Sequence, residues 1–227
     1  MVDVGTGALV GLAAMKLVLD NLWAVFLTHH HPDHAGELPA FLQTLAYGTE
    51  RLRSRDLQLV GGPGTRGLMD CYAKFYGSWV YGREFQVHVR QVEGQETLEF
   101  SESSASSPLR VDTFPMEHSP SSLAYRFHVA GKTVVFTGDT GPTPEAFFAF
   151  AKHADVLVVE CSFPDDRELS GHMTSSQVAC LAEAVEPGIT VINHVYPFHT
   201  PEEAVLAVKQ SYNGPVQAAY PGFRLTL

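Results

Sequence analysis

Short apolar runs rich in Val, Phe and Leu alternate along this chain with helix-length segments, and that alternation restricts the fold more than any other feature. Residues 23–27, 57–60, 85–92, 109–114, 123–129, 133–136, 156–159, 190–192 and 216–219 read as strands. Residues 8–19, 37–47, 64–76, 144–152, 175–185 and 201–212 read as helices. The last of these opens on Thr200-Pro201-Glu202-Glu203, an N-cap hydroxyl followed by proline and first-turn acids. Residues 85–136 are mostly strand, with Gly131-Lys132 as a turn signal, whereas both flanks mix strand and helix. The expected architecture is α/β, an αββα sandwich of two mixed β-sheets with helices on the outer faces.

The 227 residues, 45% hydrophobic, can bury one sizeable core but are short for two independent domains, so residues 1–227 are expected to form a single unit. Only 18% of residues are charged, as in an ordered globular protein, and the Ser/Ala stretch 101–107 reads as an exposed loop. A formal charge of −10 argues against a large nonspecific nucleic-acid surface, which needs clustered Lys and Arg. Bound cations would offset part of that charge. Cys71, Cys161 and Cys180 are odd in number and widely spaced, which is not a disulfide framework, and a reducing cytoplasm is the expected setting. The apolar segment 8–19 is interrupted by Lys16 and has no basic start, so it reads as an amphipathic helix rather than a signal peptide. No window approaches about eighteen uninterrupted apolar residues, and no membrane span is expected.

Directly after the first strand candidate stands Thr28-His29-His30-His31-Pro32-Asp33-His34, the pattern His-x-His-x-Asp-His. At this chain's own His and Asp frequencies it would arise by chance in roughly one such sequence in a thousand. In an extended segment residues two apart point the same way, so His29 and His31 can grip one ion while His30 faces elsewhere. Where the chain turns at Pro32, Asp33 and His34 can swing toward a second ion. His118, Asp139 and His194 each lie just past a strand candidate, at a sheet edge. Imidazole and carboxylate suit zinc, and also manganese or iron, and a carboxylate can bridge two ions. His88, His128, His153 and His199 read as structural, and His30 as a neighbour of the site rather than a ligand.

In this order of ligands the chain resembles the metallo-β-lactamase superfamily over nearly its whole length from Val4 onward. The resemblance implies two divalent ions per chain, with His29, His31 and His118 on the first, Asp33, His34 and His194 on the second, and Asp139 bridging. The second half is similar to the tRNase Z and arylsulfatase-like branch, through Val159-Glu160-Cys161-Ser162-Phe163 and Gly171-His172-Met173-Thr174-Ser175. In that branch the Glu and His pair near the metals. Carried over, Glu160 would raise the pKa of His172 so that it protonates a leaving group, and Asp33 counts with them among the catalytic residues. The activity implied is metal-dependent hydrolysis by a bridging hydroxide, with a small phosphodiester-type substrate first. A lactone or other ester hydrolase is the nearest alternative, and a non-catalytic metal-binding or regulatory protein comes from another class.

The chain departs from that pattern in two places. It begins almost at Val2-Asp3-Val4-Gly5-Thr6-Gly7, so the family's opening hairpin is expected to be missing, through truncation, a misassigned start or an edge covered by a partner such as a second copy in a homodimer. Second, tRNase Z proteins usually insert a basic, Gly/Pro-rich arm after the segment equivalent to Ala124-Tyr125-Arg126-Phe127. Here Val129-Ala130-Gly131-Lys132-Thr133 runs straight into the next strand, which makes pre-tRNA a minor expectation.

Overall fold

The computed structural model describes residues 1–48, 53–82, 84–101 and 108–226. Their contacts divide into two compact units, Met1–Glu93 and Gly94–Leu227. Each has its own sheet and its own core.

The first unit opens with helix α1 (Ala8–Ala14). Residues 8–19 read as one helix in the sequence, but it stops early because Lys16 takes a left-handed backbone (φ 53°) that an α-helix cannot continue through. Strand β1 (Ala24–Phe26) leads through α2 (Pro32–Ala35) and α3 (Leu38–Tyr47) to β2 (Leu57–Gly61), and α4 (Thr65–Tyr76) leads on to β3 (Val87–Gln91). The sheet order is β1-β2-β3 and both pairings are parallel. The expected mixture of directions is therefore absent from this sheet among the described residues. Helices in each connection return the chain to the starting edge, so the next strand pairs parallel. In α3, Leu38, Phe41, Leu42 and Leu45 fall at helical spacing and are all buried, beside Leu57 and Leu59 of the sheet in one cluster. Each such side chain contributes about 1.5–3 kcal/mol of burial, as an upper estimate.

The second unit holds β4 (Thr97–Phe100), β5 (Leu109–Pro115), β6 (Leu123–Val129), β7 (Lys132–Phe136), β8 (Val156–Glu160), β9 (Ile189–Asn193) and β10 (Val216–Ala218), in sheet order β10-β9-β8-β7-β6-β5-β4. From β4 to β7 the pairings are antiparallel, and from β7 to β10 they are parallel, so this sheet is mixed as expected. Helices α5 (Glu145–Ala151), α6 (Ser175–Val185) and α7 (Pro201–Val208) occupy the connections of the parallel half. Strand β4 has no counterpart in the sequence reading: only Leu98 and Phe100 are buried there, too few alternations to stand out. The loop expected at 101–107 lies outside the described residues except for Ser101, which is exposed.

Two local features bear on the site. Ala130 (φ 50°) and Gly131 (φ 77°) close the β6–β7 hairpin in a tight turn of positive φ, so nothing is inserted between those strands. In α7, Thr200 is the N-cap expected from the sequence, and the structure adds a reciprocal bond: Thr200 Oγ1 accepts from the Glu203 amide (3.2 Å) and the Thr200 amide donates to Glu203 Oε2 (2.7 Å). No described helix is long and apolar enough to cross a membrane.

Candidate metal centre

In the first unit the strand β1 delivers Thr28 to His34 directly. His29 is fully buried, its ring centroid 4.6 Å from that of His31 and 4.1 Å from that of His34. Asp33 Oδ2 lies 3.8 Å from His34 Nε2. His30 is turned away, its Nε2 2.9 Å from Thr65 Oγ1 at the start of α4, and burial, with His31 beside it, lowers its pKa. Gly5 is required by close approach: a Cβ there would stand 1.6 Å from the Asp33 carbonyl oxygen.

Asp3 is a part of this arrangement that sequence reasoning missed. Its carboxylate accepts from the Thr28 amide (2.7 Å) and Thr28 Oγ1 (2.8 Å), and it lies 2.8 Å from His34 Nδ1. With Nδ1–H donated to Asp3, His34 keeps Nε2 unprotonated and aimed, as a metal-ligating imidazole requires. The sequence carried no signal for this, since an acid in a Gly-rich segment reads as a turn. Asp3→Ala is expected to weaken divalent-cation binding about 10–100-fold in a chelator competition, the usual cost of losing such a partner. Unaltered affinity would leave Asp3 with only a local structural role.

In the second unit β5, β7, β8 and β9 run in one direction, so the residues just past their ends gather at one sheet edge. Those residues are His118, Asp139 and His194, and Glu160, the last residue of β8, joins them. Asp139 is 3% exposed, and its Oδ2 lies 3.3 Å from His194 Nε2 and 3.9 Å from His118 Nε2. Both imidazoles have a partner at the other nitrogen: His118 Nδ1 is 2.8 Å from the Gly171 carbonyl, and His194 Nδ1 is 3.0 Å from Ser162 Oγ. Each Nε2 is thereby left to face the carboxylate. Ligand atoms of His118, Asp139 and His172 lie within 4.8 Å of one another, as do those of Glu160, His172 and His194. Nitrogen and oxygen donors held this way fit a divalent transition-metal ion.

Glu160 and His172 also come together. The Glu160 carboxylate, 1% exposed, lies 3.2 Å from His172 Nδ1 through either oxygen. It accepts the Thr140 amide at Oε1 (2.6 Å), the Met173 amide at Oε2 (3.3 Å) and the Ser162 hydroxyl at Oε2. Thr140 and Ser162 were not singled out from the sequence. Cys161, between Glu160 and Ser162, faces the other way toward Ser175, and burial pushes its thiol up to about 11, which keeps it protonated and unreactive. A cavity of about 500 Å³ opens beside His118 and His172, with Glu117 and Glu168 in its lining.

The remaining histidines have structural partners. His88 Nε2 sits 2.8 Å from Asp56, His128 Nε2 2.6 Å from Asp112, His199 Nε2 3.1 Å from the Cys161 carbonyl, and His153 Nδ1 3.7 Å from Glu186.

A family model described as Beta-lactamase superfamily domain matches residues 2–195 and so runs through both units. The probable metallo-hydrolase YhfI of Bacillus subtilis is 25% identical over 230 residues, covering 98% of this chain and 86% of the relative. Its crystal structure aligns with a TM-score of 0.77 at 23% identity, over 98% of this chain and 84% of that one. Ribonuclease Z of Mycobacterium marinum is 27% identical over 212 residues, 87% of this chain and 76% of the relative. A diphosphatase from the PhnP family shares the fold, with a TM-score of 0.74 at 16% identity over 100% of this chain and 79% of that one. The matched family model, the relatives and the fold together make this chain a member of the metallo-β-lactamase superfamily, a family of hydrolases that work with divalent metal ions.

Proposed function

We propose that residues 1–227 act as one catalytic domain that hydrolyses a small phosphodiester-type substrate with two divalent ions, zinc first and manganese or iron as alternatives. His29, His31 and His118 would hold one ion, Asp33, His34 and His194 the other, and Asp139 both. The observation that carries this reading is the buried Asp139 Oδ2, which has the Nε2 atoms of His118 and His194 beside it while their Nδ1 atoms are committed elsewhere. Bound ions would supply a water of lowered pKa and offset the charge developing on the attacked group.

The chain's own residues supply the rest. Glu160 holds His172 by Nδ1, which leaves Nε2 as the nitrogen that passes a proton to the departing oxygen. His172 lines the cavity, so a leaving group seated there is within its reach. Among the described residues the cavity lining includes the carboxylates Glu117 and Glu168 and no Lys or Arg. A single phosphodiester charge is offset by two cations, whereas a polyanion would meet uncompensated repulsion. The tight β6–β7 turn and the net charge of −10 act in the same direction.

The protein is therefore expected to cleave bis-nitrophenyl phosphate in the presence of zinc or manganese and to leave the 3′ trailer of a pre-tRNA essentially unprocessed. Both are measured by product formation with matched enzyme and metal. Accurately positioned trailer removal at a comparable rate would overturn the small-substrate reading. Faster hydrolysis of a nitrophenyl ester or a lactone would move the ester-hydrolase alternative ahead of it.

A further inference from the structure

We propose that Ser162 is a positioning residue that ties His194 to Glu160, so that one buried carboxylate orients both the proton donor His172 and the metal ligand His194. The inference rests on the metal-centre reading above and adds a residue to it.

Ser162 stands two residues after Glu160, just beyond the end of β8. In extended chain such residues share a side, which brings the Ser162 hydroxyl to the Glu160 carboxylate while Cys161 points the opposite way. The serine is fully buried. Its Oγ lies near the Glu160 Oε2 oxygen, 3.0 Å from the His194 carbonyl, 3.0 Å from His194 Nδ1 and 3.4 Å from His172 Nδ1.

A hydroxyl has one proton and two lone pairs, so only one of these neighbours receives its hydrogen. The Glu160 carboxylate is the acceptor nearest the hydroxyl, and it already accepts from the Thr140 and Met173 amides. Ser162 therefore donates to Glu160. His194 Nδ1 must then be the donor in the 3.0 Å contact, which fixes the Nδ1–H tautomer and keeps Nε2 a bare nitrogen beside Asp139. Glu160 meets His172 directly and His194 through one hydroxyl.

The test uses the full chain, with zinc affinity read by competition against a chromophoric chelator. In Ser162→Ala one of the two zinc equivalents is expected to bind about 10–100-fold more weakly while the other keeps its affinity. Ser162→Thr, which retains the hydroxyl, should restore most of the loss whatever its effect on thermal stability. If Ala at this buried position unfolds the chain, Ser162→Val, which has the shape of the threonine variant without its hydroxyl, takes its place with the same expectation. Wild-type affinity in Ser162→Ala, alongside a clear loss in a His194→Ala control, would overturn the role of Ser162 and leave the metal centre standing. Undiminished binding in both variants would overturn the metal-centre reading and this inference with it.

Discussion

Asp139→Ala should remove both divalent ions rather than one and bring phosphodiester turnover down to the level of chelator-treated protein. The expectation follows from where the carboxylate sits. It is 3% exposed at the end of β7, with His194 Nε2 and His118 Nε2 at 3.3 and 3.9 Å from the same oxygen, and these two histidines are proposed to serve different ions. Removing a shared ligand takes a donor from each site. The loss should exceed the tenfold to hundredfold that removal of an outer partner such as Asp3 costs. Elemental analysis of protein purified without chelator would read about two equivalents for the wild type and close to none for the variant, with circular dichroism confirming that the fold is kept. One tightly held ion in Asp139→Ala would show that the carboxylate serves a single site.

What could be read from the sequence was what is local. Helix α6 was placed at its observed bounds, because the apolar spacing of Val178, Leu181, Ala182 and Val185 survives in a single unbroken run. The run 8–19 misled, because nothing in it marks Lys16 as a residue that leaves the helical region. Direction within the first sheet was also out of reach, since pairing depends on how the connections cross rather than on the strands themselves. The site divides in the same way. His29, His31, Asp33 and His34 are visible because their spacing lies within one short segment. His118, Asp139 and His194 needed the rule that strand ends present functional side chains, together with the resemblance to a family. Asp3, Thr140, Ser162 and the Gly171 carbonyl act through hydrogen bonds to partners distant in sequence, and no residue type or spacing announces such a bond. The partners that set imidazole tautomers are written in tertiary structure.

His172→Ala should keep both ions yet lose far more activity on an alkyl phosphodiester than on a nitrophenyl one. General acid catalysis contributes roughly a hundredfold to ten-thousandfold, and most of it is needed when the departing oxygen is a poor leaving group. An alkoxide must take up a proton as it departs, whereas a nitrophenolate leaves almost unaided. The geometry supports a donor rather than a ligand: Glu160 holds Nδ1 at 3.2 Å, while Asp139 Oδ2 is farther off at 3.9 Å. The competing role is nonetheless concrete, because His172 shares close groups of potential ligand atoms with His118 and Asp139 and with Glu160 and His194. Parallel measurements of bound metal and of kcat/KM on the two substrates separate the roles. A loss confined to the alkyl substrate, with two metals retained, identifies the proton donor. Equal losses on both substrates would assign His172 to binding, and a missing equivalent of metal would make it a ligand. Either of those results would remove the main ground for preferring a phosphodiester over a lactone or another ester.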